Sequence, residues 1–466
     1  MINSLTELYQ KARMARDARY DGKFFVAVKT TKIYCRPICP APSPKEHNVI
    51  YYDLAIQAQE AGFRPCRRCR PESAPQSAAW IGTQAVLNRA ISKIQAGALN
   101  NQKLAEFCQQ LGISERYLRK LFQDYMGTSP LKYANHVRLM FAKQLLHQTK
   151  LPITDIAFSA GFNSIRRFND AFKKSLRLTP SDIRNYQVCR DSAINIQLHY
   201  QGNYNWPLMQ SFLKQREVSL FEQVEDKSYQ RTFQFESDRG SEKPIRGQFY
   251  AEHKADNKAF DISIKISDPA YLMPLISKIK TLLDINANTD LIESHLAQDP
   301  KLKPLLQKGL RLPACFDSFE AGVKAILGQQ VSIKAAYGHS QKLVANIGHK
   351  YNQQYHLFPT PQQIANADLS FLKMPASRKA TLKAFANWYL KTQGDNLESI
   401  LEIKGIGPWT LEYIKLRSGQ ESDAFPENDL VVQKALKHFM LEDTESWRPW
   451  RSYATLQLWE AVTRFT

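Results

Sequence analysis

The sequence predicts a multidomain α+β protein with a small cysteine-rich domain, an all-α domain, a mixed α/β sheet domain and a second all-α domain. Its 466 residues exceed what one hydrophobic core normally holds. A hydrophobic fraction of 43% and a charged fraction of 23% are typical of globular domains, not of disordered or fibrous chains. The spacing of apolar residues changes twice along the chain, which separates helical regions from a strand-rich one.

Positive charge is concentrated at the start of the chain. Residues 1–190 contain 30 lysines and arginines against 13 aspartates and glutamates, whereas residues 191–466 contain 33 against 31. Most of the net charge of +19 therefore lies in the first two-fifths. A basic region of this size indicates a nucleic-acid partner. Since no apolar run approaches the ~20 residues of a spanning helix, we expect no membrane partner.

Four of the seven cysteines form two close pairs within residues 1–75, the first predicted domain. Cys35 and Cys39 form a C-x3-C pair, and Cys66 and Cys69 form a C-x2-C pair. Two such pairs of thiolates can close a tetrahedron around one Zn²⁺, and no organic cofactor is expected. The odd number and the grouping of the cysteines argue against a disulfide scaffold and predict a reducing, cytoplasmic setting. A purely structural zinc site is the alternative to a reactive one.

Residues 80–187 form the second predicted domain, because apolar residues recur there at helical spacing and a segment repeats. The repeat predicts a helix, a turn with glycine and a second helix, twice over, which is a double helix-turn-helix domain. Its equivalent residues are 49 or 50 positions apart, pairing Gly112, Leu118, Phe122 and Pro130 with Gly161, Phe168, Phe172 and Pro180. Ser114 and Ser164 are the predicted N-caps of the second helices. The candidate DNA contacts on those helices are Arg116, Arg119, Lys120, Arg166 and Arg167.

Residues 191–285 predict strands in a mixed α/β sheet domain, and residues 286–466 predict helices. In the helical part, Gly405 and Gly407 form a G-x-G hairpin, where backbone N–H groups can meet a DNA phosphate. Asp429 follows in a loop with proline and asparagine that leads into an apolar segment. It is expected at the N-terminus of that helix. A capping role and a catalytic role both fit a carboxylate there.

The stretches FFVAVKTTKIYCRPIC and AGFRPCRRCRPE make residues 1–75 resemble the N-terminal domain of the Ada regulators of the response to alkylation. The resemblance implies that Cys35, Cys39, Cys66 and Cys69 bind zinc. It also implies that Cys35 accepts a methyl group from a methylphosphotriester in DNA. Residues 80–187 resemble the AraC-type DNA-binding domain, which implies a specific promoter sequence and RNA polymerase as partners.

The motifs ILGQQVS, IKGIGPWTLEY, PENDLVVQ and RPWRSYATLQLW resemble DNA-3-methyladenine glycosylase II of the helix-hairpin-helix superfamily. The resemblance implies a helix-hairpin-helix glycosylase domain over residues 286–466 and hydrolytic excision of alkylated purines from double-stranded DNA. Asp429 falls on the catalytic position. Trp409, Tyr413 and Trp459 fall on positions that line the base pocket. Gln330 falls on the residue that wedges into the duplex, where the family carries leucine.

Two motifs that are absent from the sequence restrict the activities we expect. Lyase-competent relatives place a lysine just after the hairpin, where this sequence has Trp409, so we expect a monofunctional glycosylase. No Pro-Cys-His-Arg motif occurs, so we expect no O6-methylguanine methyltransferase activity. The alternative function is a methylation-responsive transcriptional regulator whose glycosylase half recognises lesions without catalysis. We expect a monomer.

Overall fold

The structure, a computed structural model, describes residues 2–16, 24–39, 41–52, 55–66, 68–69, 71, 83–184, 193–236, 244–419 and 421–465. The chain divides into two compact units. The first comprises residues 1–95 and 102–133, and the second comprises residues 96–101 and 134–466. Within the described ranges, no helix has both the length and the apolar character that crossing a bilayer requires.

The cysteine-rich region of the first unit is built on a four-stranded sheet in the order β3-β1-β2-β4. Strand β1 pairs antiparallel with β2 and β3, and β2 pairs parallel with β4. Phe25, Ala27, Tyr34, Ala58 and Phe63 form its small core. The elements are α1 Ile2–Met14, β1 Phe25–Val28, β2 Ile33–Cys35, β3 Val49–Tyr52, α2 Ala55–Glu60 and β4 Arg64–Pro65.

Both predicted helix-turn-helix copies are present, the first in the first unit and the second in the second unit. The predicted caps are confirmed, because Ser114 Oγ accepts from Tyr117 N at 3.3 Å and Ser164 Oγ accepts from Arg167 N at 3.2 Å. The helices of this region are α3 Thr83–Gln95, α4 Leu104–Gln110, α5 Glu115–Met126, α6 Pro130–Gln148, α7 Ile153–Ser159, α8 Ile165–Leu176 and α9 Pro180–Ile183.

A five-stranded antiparallel sheet in the order β5-β9-β8-β7-β6 follows in the second unit. The alternation that predicts strands matches the burial: Ile194, Ile196 and Leu198 of β5 are buried, while Asn195 between them is exposed. The elements are β5 Ile194–His199, α10 Trp206–Lys214, β6 Glu222–Val224, β7 Ser228–Phe235, β8 Ile245–Lys254, β9 Ala259–Ile266 and α11 Leu272–Leu282.

The second helix-turn-helix copy packs on this sheet domain and shares its hydrophobic core. One continuous cluster of buried residues contains Phe168 and Phe172 of α8 together with Ile196 of β5. Ser159 Oγ at the end of α7 donates to Pro269 O at 2.8 Å. These contacts make the second copy part of the same compact body as the sheet.

The remainder of the chain is helical, as predicted, and encloses two further apolar clusters. A helix precedes the hairpin, as the sequence predicts: residues Leu397–Glu402 form a 3-10 helix between the positive φ angles of Asn396 and Gly405. The α-helices are α12 Thr289–Leu296, α13 Ser318–Leu327, α14 Ile333–Ile347, α15 Pro361–Asn366, α16 Ala376–Thr392, α17 Pro408–Ser418, α18 Leu430–His438 and α19 Arg451–Phe465.

Candidate active site and metal centre

Asp429 is the N-cap of α18, and its carboxylate accepts four hydrogen bonds. Oδ1 accepts from the backbone N–H groups of Val431 at 3.0 Å and Val432 at 3.1 Å. It also accepts from Trp459 Nε1 at 3.1 Å, while Oδ2 accepts from Trp409 Nε1 at 3.0 Å. The capping role that the sequence left open is therefore present. The two indoles add a constraint that capping does not need, because each donates an N–H to a different carboxylate oxygen.

Aromatic rings form a continuous wall beside this carboxylate. Trp409 and Tyr413, one turn apart on α17, stack with ring centres 5.2 Å apart and planes at 25°. Tyr413 lies 6.2 Å from Trp459 of α19. Phe212 continues the wall, at 6.5 Å and 13° from Trp459. Phe212 belongs to α10 of the sheet domain, and sequence reasoning missed it because no local pattern indicates a partner 247 residues away.

All these side chains line one cleft of about 1590 Å³. Its walls come from α10 of the sheet domain and from α13, α14, α16, α17, α18 and α19 of the helical region. The volume exceeds the roughly 300–1,000 Å³ of most small-molecule sites, so the cleft has room for a nucleotide with flanking backbone. Leu430, next to Asp429, is 86% exposed beside it. An apolar side chain this exposed is available for contact with a large ligand.

The two glycines of the hairpin beside the cleft have different surroundings. Gly405 has φ +95°, and a Cβ there would lie 2.3 Å from Thr381 Oγ1. Gly407 precedes α17 as its N-cap, and a Cβ there would meet no atom within 4 Å. Gly405 is therefore required by the fold. Gly407 leaves open space at a helix N-terminus, where an anionic phosphate is favoured.

Gln330, the predicted wedge residue, lies in the link between α13 and α14 at the cleft. It is exposed and has φ +56°, an uncommon backbone angle for a residue with a side chain. Its neighbour Gln329 ties this link to the hairpin, since Gln329 Nε2 donates to Gly405 O at 2.9 Å and Thr410 Oγ1 at 3.1 Å. The link between α13 and α14 and the hairpin are thus held together.

A network of buried charged side chains adjoins the cleft through Lys324, which also lines it. Lys324 Nζ is 2.8 Å from Glu320 Oε1 and 3.3 Å from Glu222 Oε1, and Arg231 Nη2 is 2.7 Å from Glu320 Oε2. Burial acts to lower the pKa of Lys324, but the two carboxylates raise it well above its usual value. Burial likewise acts to raise the pKa of Glu320, yet Arg231 and Lys324 lower it to about 2. These buried charges are therefore mutually paired.

A second cationic group in the cleft wall, Arg216, was also missed from the sequence. Its guanidinium carbon lies 3.7 Å from the centre of the Phe212 ring, and Nη1 donates to Phe212 O at 3.3 Å. Burial lowers the pKa of Arg216, and the phenols of Tyr413 and Tyr337 oppose that fall. The only local signal is its position four residues after Phe212, the spacing of one helical turn.

The four cysteines of the first unit converge on one point. Their Sγ atoms all lie within 4.8 Å of one another, and those of Cys39 and Cys66 are 4.0 Å apart. The parallel pairing of β2 with β4 brings Cys35 close to Cys66. A tetrahedral site with Zn–S bonds of ~2.3 Å has sulfur atoms about 3.8 Å apart, so the residues fit Zn²⁺. The predicted metal site is confirmed as a cluster of the right donors.

The environment of the cysteines differs from one to another. Cys66 and Cys69 are buried, whereas Cys35 and Cys39 are partly exposed. Hydrogen bonds with Cys39 and Cys69 raise the pKa of Cys35, and hydrogen bonds with Cys35 and Cys69 lower that of Cys39. The buried Arg36 donates its backbone N–H to Cys69 Sγ at 3.4 Å. Cys35 is therefore within reach of a surface ligand.

The predicted DNA contacts lie on exposed faces of α5 and α8. The opposite faces are buried through Leu118 and Phe122 in the first copy and through Phe168 and Phe172 in the second. Arg119 also pairs with Glu115 at 2.6 Å, a surface contact that a phosphate could replace. The exposed basic side chains are Arg116, Arg119 and Lys120 on α5 and Arg166 and Arg167 on α8.

Family models match four successive parts of the chain. The metal binding domain of Ada matches residues 9–72, and a helix-turn-helix domain matches residues 107–186. The AlkA N-terminal domain matches residues 195–317. The HhH-GPD superfamily of base excision DNA repair proteins matches residues 323–461. The predicted fold class, with its four kinds of domain, is confirmed.

One known relative matches nearly the whole chain, and two others each match about half of it. A protein of Mycobacterium tuberculosis named probable bifunctional transcriptional activator/DNA repair enzyme AlkA is 33% identical over 97% of this chain and 95% of its own length. DNA-3-methyladenine glycosylase 2 of Escherichia coli is 33% identical over 56% of this chain and 95% of its own length. Bifunctional transcriptional activator/DNA repair enzyme AdaA of Bacillus subtilis is 34% identical over 43% of this chain and 89% of its own length.

The first of these relatives aligns with nearly the full length of both chains, and every predicted domain type has its own family model. The chain therefore belongs to the family of bifunctional transcriptional activator/DNA repair enzymes that join an Ada-type metal-binding and helix-turn-helix region to an AlkA-type helix-hairpin-helix glycosylase.

Proposed function

We propose that the chain excises alkylated purines, of the 3-methyladenine and 7-methylguanine type, from double-stranded DNA by hydrolysis. We also propose that Cys35 takes up a methyl group from methylphosphotriesters, which activates sequence-specific DNA binding and transcription. The observation that carries the first part is the carboxylate of Asp429. It is fixed by the indoles of Trp409 and Trp459 in the wall of an aromatic cleft.

Recognition in this proposal begins with extrusion of the damaged nucleotide from the duplex. Gly407 and the N-terminus of α17 offer an approach for a phosphate, and the exposed Gln330 would fill the space that the base leaves. The rings of Trp409, Tyr413, Trp459 and Phe212 offer flat, electron-rich surfaces beside the flipped base. N3- or N7-alkylation gives a purine positive charge, which such faces attract.

Bond cleavage then depends on Asp429. The bond between C1′ and the purine nitrogen breaks, and its electron pair leaves with the base. Positive charge develops on the sugar, and a carboxylate nearby stabilises it. A water molecule adds to C1′ and loses a proton. Trp409 stands after the hairpin where a lyase would need lysine, so the product is an abasic site in an intact strand.

The test is an assay of base release and strand integrity on the same samples. Duplex DNA methylated at N7 of guanine is incubated with the full chain, free base is separated by chromatography, and the strands are analysed with and without alkali. We expect free 7-methylguanine and strand breaks only after alkali. Lesion binding without any released base would favour the alternative, a regulator that recognises lesions but does not excise them.

The second part of the proposal concerns Cys35. Its sulfur attacks the methyl carbon of the phosphotriester, an S–C bond forms, and the C–O bond breaks with its electron pair left on the phosphate. Zn²⁺ bound by the four cysteines would keep the thiols deprotonated. The transfer changes the formal charge of the site from −2 to −1. Weaker repulsion of DNA phosphates then strengthens DNA binding.

Methyl uptake can be followed by mass spectrometry of the zinc-loaded chain. After exposure to DNA with methylphosphotriesters, we expect the Cys35 peptide to gain about 14 Da, the mass of one CH₂ group. Peptides with the buried residues Cys108 and Cys315 serve as internal controls and should not change. A Cys35 peptide of unchanged mass would mean that this cysteine is only a structural ligand.

The two parts share double-stranded DNA as their partner. The exposed basic side chains of α5 and α8 support promoter binding. As an activator the protein would contact RNA polymerase, and we propose that it acts as a monomer.

A further inference from the structure

Arg216 lines the cleft without an acidic partner among the described residues. Lys324 and Arg231 are each paired with a buried carboxylate. No carboxylate of the described residues lies within ion-pair distance of Arg216, whose neighbours are Phe212, Tyr413 and Tyr337. A second guanidinium, that of Arg417, lies 4.7 Å from the same Phe212 ring. The Phe212 ring and carbonyl and the Tyr413 phenol compensate part of the lost solvation of this cation, but none of them carries a negative charge.

The position of Arg216 indicates which ligand could accept hydrogen bonds from its remaining N–H groups. The residue lines the same cleft as Asp429, Trp409 and Trp459, and its stem is held against Phe212. Guanidinium groups only donate hydrogen bonds, so their ligand must offer acceptors. The proposed occupant of the cleft is a flipped purine. Guanine offers a carbonyl oxygen at position 6 and adenine an amino group, which is a donor.

We infer that Arg216 selects the flipped base by its 6-substituent: its N–H groups donate to the carbonyl oxygen of alkylated guanines and meet an amino donor in alkylated adenines. This inference rests on the proposed function and adds the class of base that the site favours. Net charge does not make this distinction, because 7-methylguanine and 7-methyladenine both carry positive charge in DNA. Ring stacking does not make it either, since both are purines.

A competition within one reaction tests the inference. Duplex DNA treated with a methylating agent contains both 7-methylguanine and 7-methyladenine, and the released bases are separated by chromatography after subtraction of spontaneous loss. Arg216→Met keeps an unbranched stem against Phe212 but removes all N–H donors. We expect the ratio of kcat/KM for 7-methylguanine over 7-methyladenine to fall about tenfold, the loss of one charged hydrogen bond.

Two further variants separate hydrogen bonding from structure. Arg216→Gln keeps an N–H donor without the charge and should restore part of the ratio. Arg246→Met makes the same change at a half-buried arginine of β8, in the same domain but outside the cleft lining, and should leave the ratio unchanged. If Arg216→Met lowered the release of both bases by the same factor, Arg216 would be a structural support and the inference would be wrong.

Binding of the free bases gives a readout that does not depend on catalysis. Trp409 and Trp459 line the cleft, so quenching of tryptophan fluorescence can report occupancy. We expect the unmodified chain to bind 7-methylguanine more tightly than 7-methyladenine and Arg216→Met to lose this preference. Equal binding of both bases by the unmodified chain would overturn the inference and leave the proposed excision standing. Binding of neither base would also overturn the inference, while the base-release assay would decide separately on the proposed excision.

Discussion

Replacing Asp429 by asparagine should lower the single-turnover rate of base release by roughly 100-fold or more. The substitution removes the negative charge that stabilises the sugar in the transition state. It also replaces one acceptor oxygen by an amide that only donates. Because both carboxylate oxygens accept from N–H groups, the amide of an asparagine must face at least one donor, such as Trp409 Nε1. The measurement is rapid-quench base release with enzyme in excess over N7-methylated duplex.

The helix should survive this change, which separates catalysis from folding. Asparagine is as good an N-cap as aspartate, so α18 keeps its first-turn hydrogen bonds. Asp317 offers a matched control, because it caps α13 by accepting from Glu320 N at 2.9 Å and does not line the cleft. Asp317→Asn should release base at the unmodified rate. A rate for Asp429→Asn within a few-fold of that control would mean that Asp429 is a cap and nothing more.

The sequence suffices for the part of this site that lies within one stretch of chain. Gly405, Trp409 and Asp429 fall within 25 residues of one another, and hairpin, helix and capped loop are each recognisable from local signals. The bonds from Trp409 and Trp459 to the carboxylate follow from tertiary packing, and no spacing rule anticipates them. Phe212 and Arg216 belong to the sheet domain. From their residue types alone, Phe212 indicates only the apolar face of a helix and Arg216 only the end of that helix.

The two copies of the internal repeat also show that the sequence predicts local structure better than tertiary contacts. Gly112 and Gly161 are equivalent by sequence, and both adopt positive φ in the turn of their copy. A Cβ at Gly112 would meet no atom within 4 Å, whereas one at Gly161 would lie 2.2 Å from Asn100 Cγ. Equal spacing thus predicts equal local structure but not equal surroundings. The turn of the second copy has close neighbours within its own unit, and Asn100 is one of them.

The second copy also packs against the sheet domain, and this contact links the stability of the two. The buried residues of α7 and α8 continue into the core of the sheet, so the second helix-turn-helix cannot open without exposing apolar surface on both sides. Backbone and side-chain bonds add to the contact: Ser159 Oγ donates to Pro269 O, and Gln197 N donates to Gln148 Oε1 at 3.3 Å. We therefore expect residues 134–466 to unfold as one cooperative body.

Substituting Ser159 by aspartate should break this cooperativity. Ser159 is fully buried, and the carboxylate would replace a donor that faces a carbonyl oxygen. An unpaired charge at such a position costs about 3 kcal/mol or more. Amide hydrogen exchange measures the result by region. In the unmodified chain, peptides of α8 and β8 should open with equal free energy, and in Ser159→Asp those of α8 should open at lower free energy.

Thr154 provides the comparison on the same helix. It is exposed near the start of α7, where an added aspartate interacts favourably with the helix dipole, so Thr154→Asp should leave exchange in both regions unchanged. If α8 and β8 peptides already opened at different free energies in the unmodified chain, the shared core would not couple them. If α8 and β8 peptides still opened together in Ser159→Asp, the apolar contact alone would hold the body together. The free-energy cost of the lost Ser159 bond and of the added charge would then be too small to separate its parts.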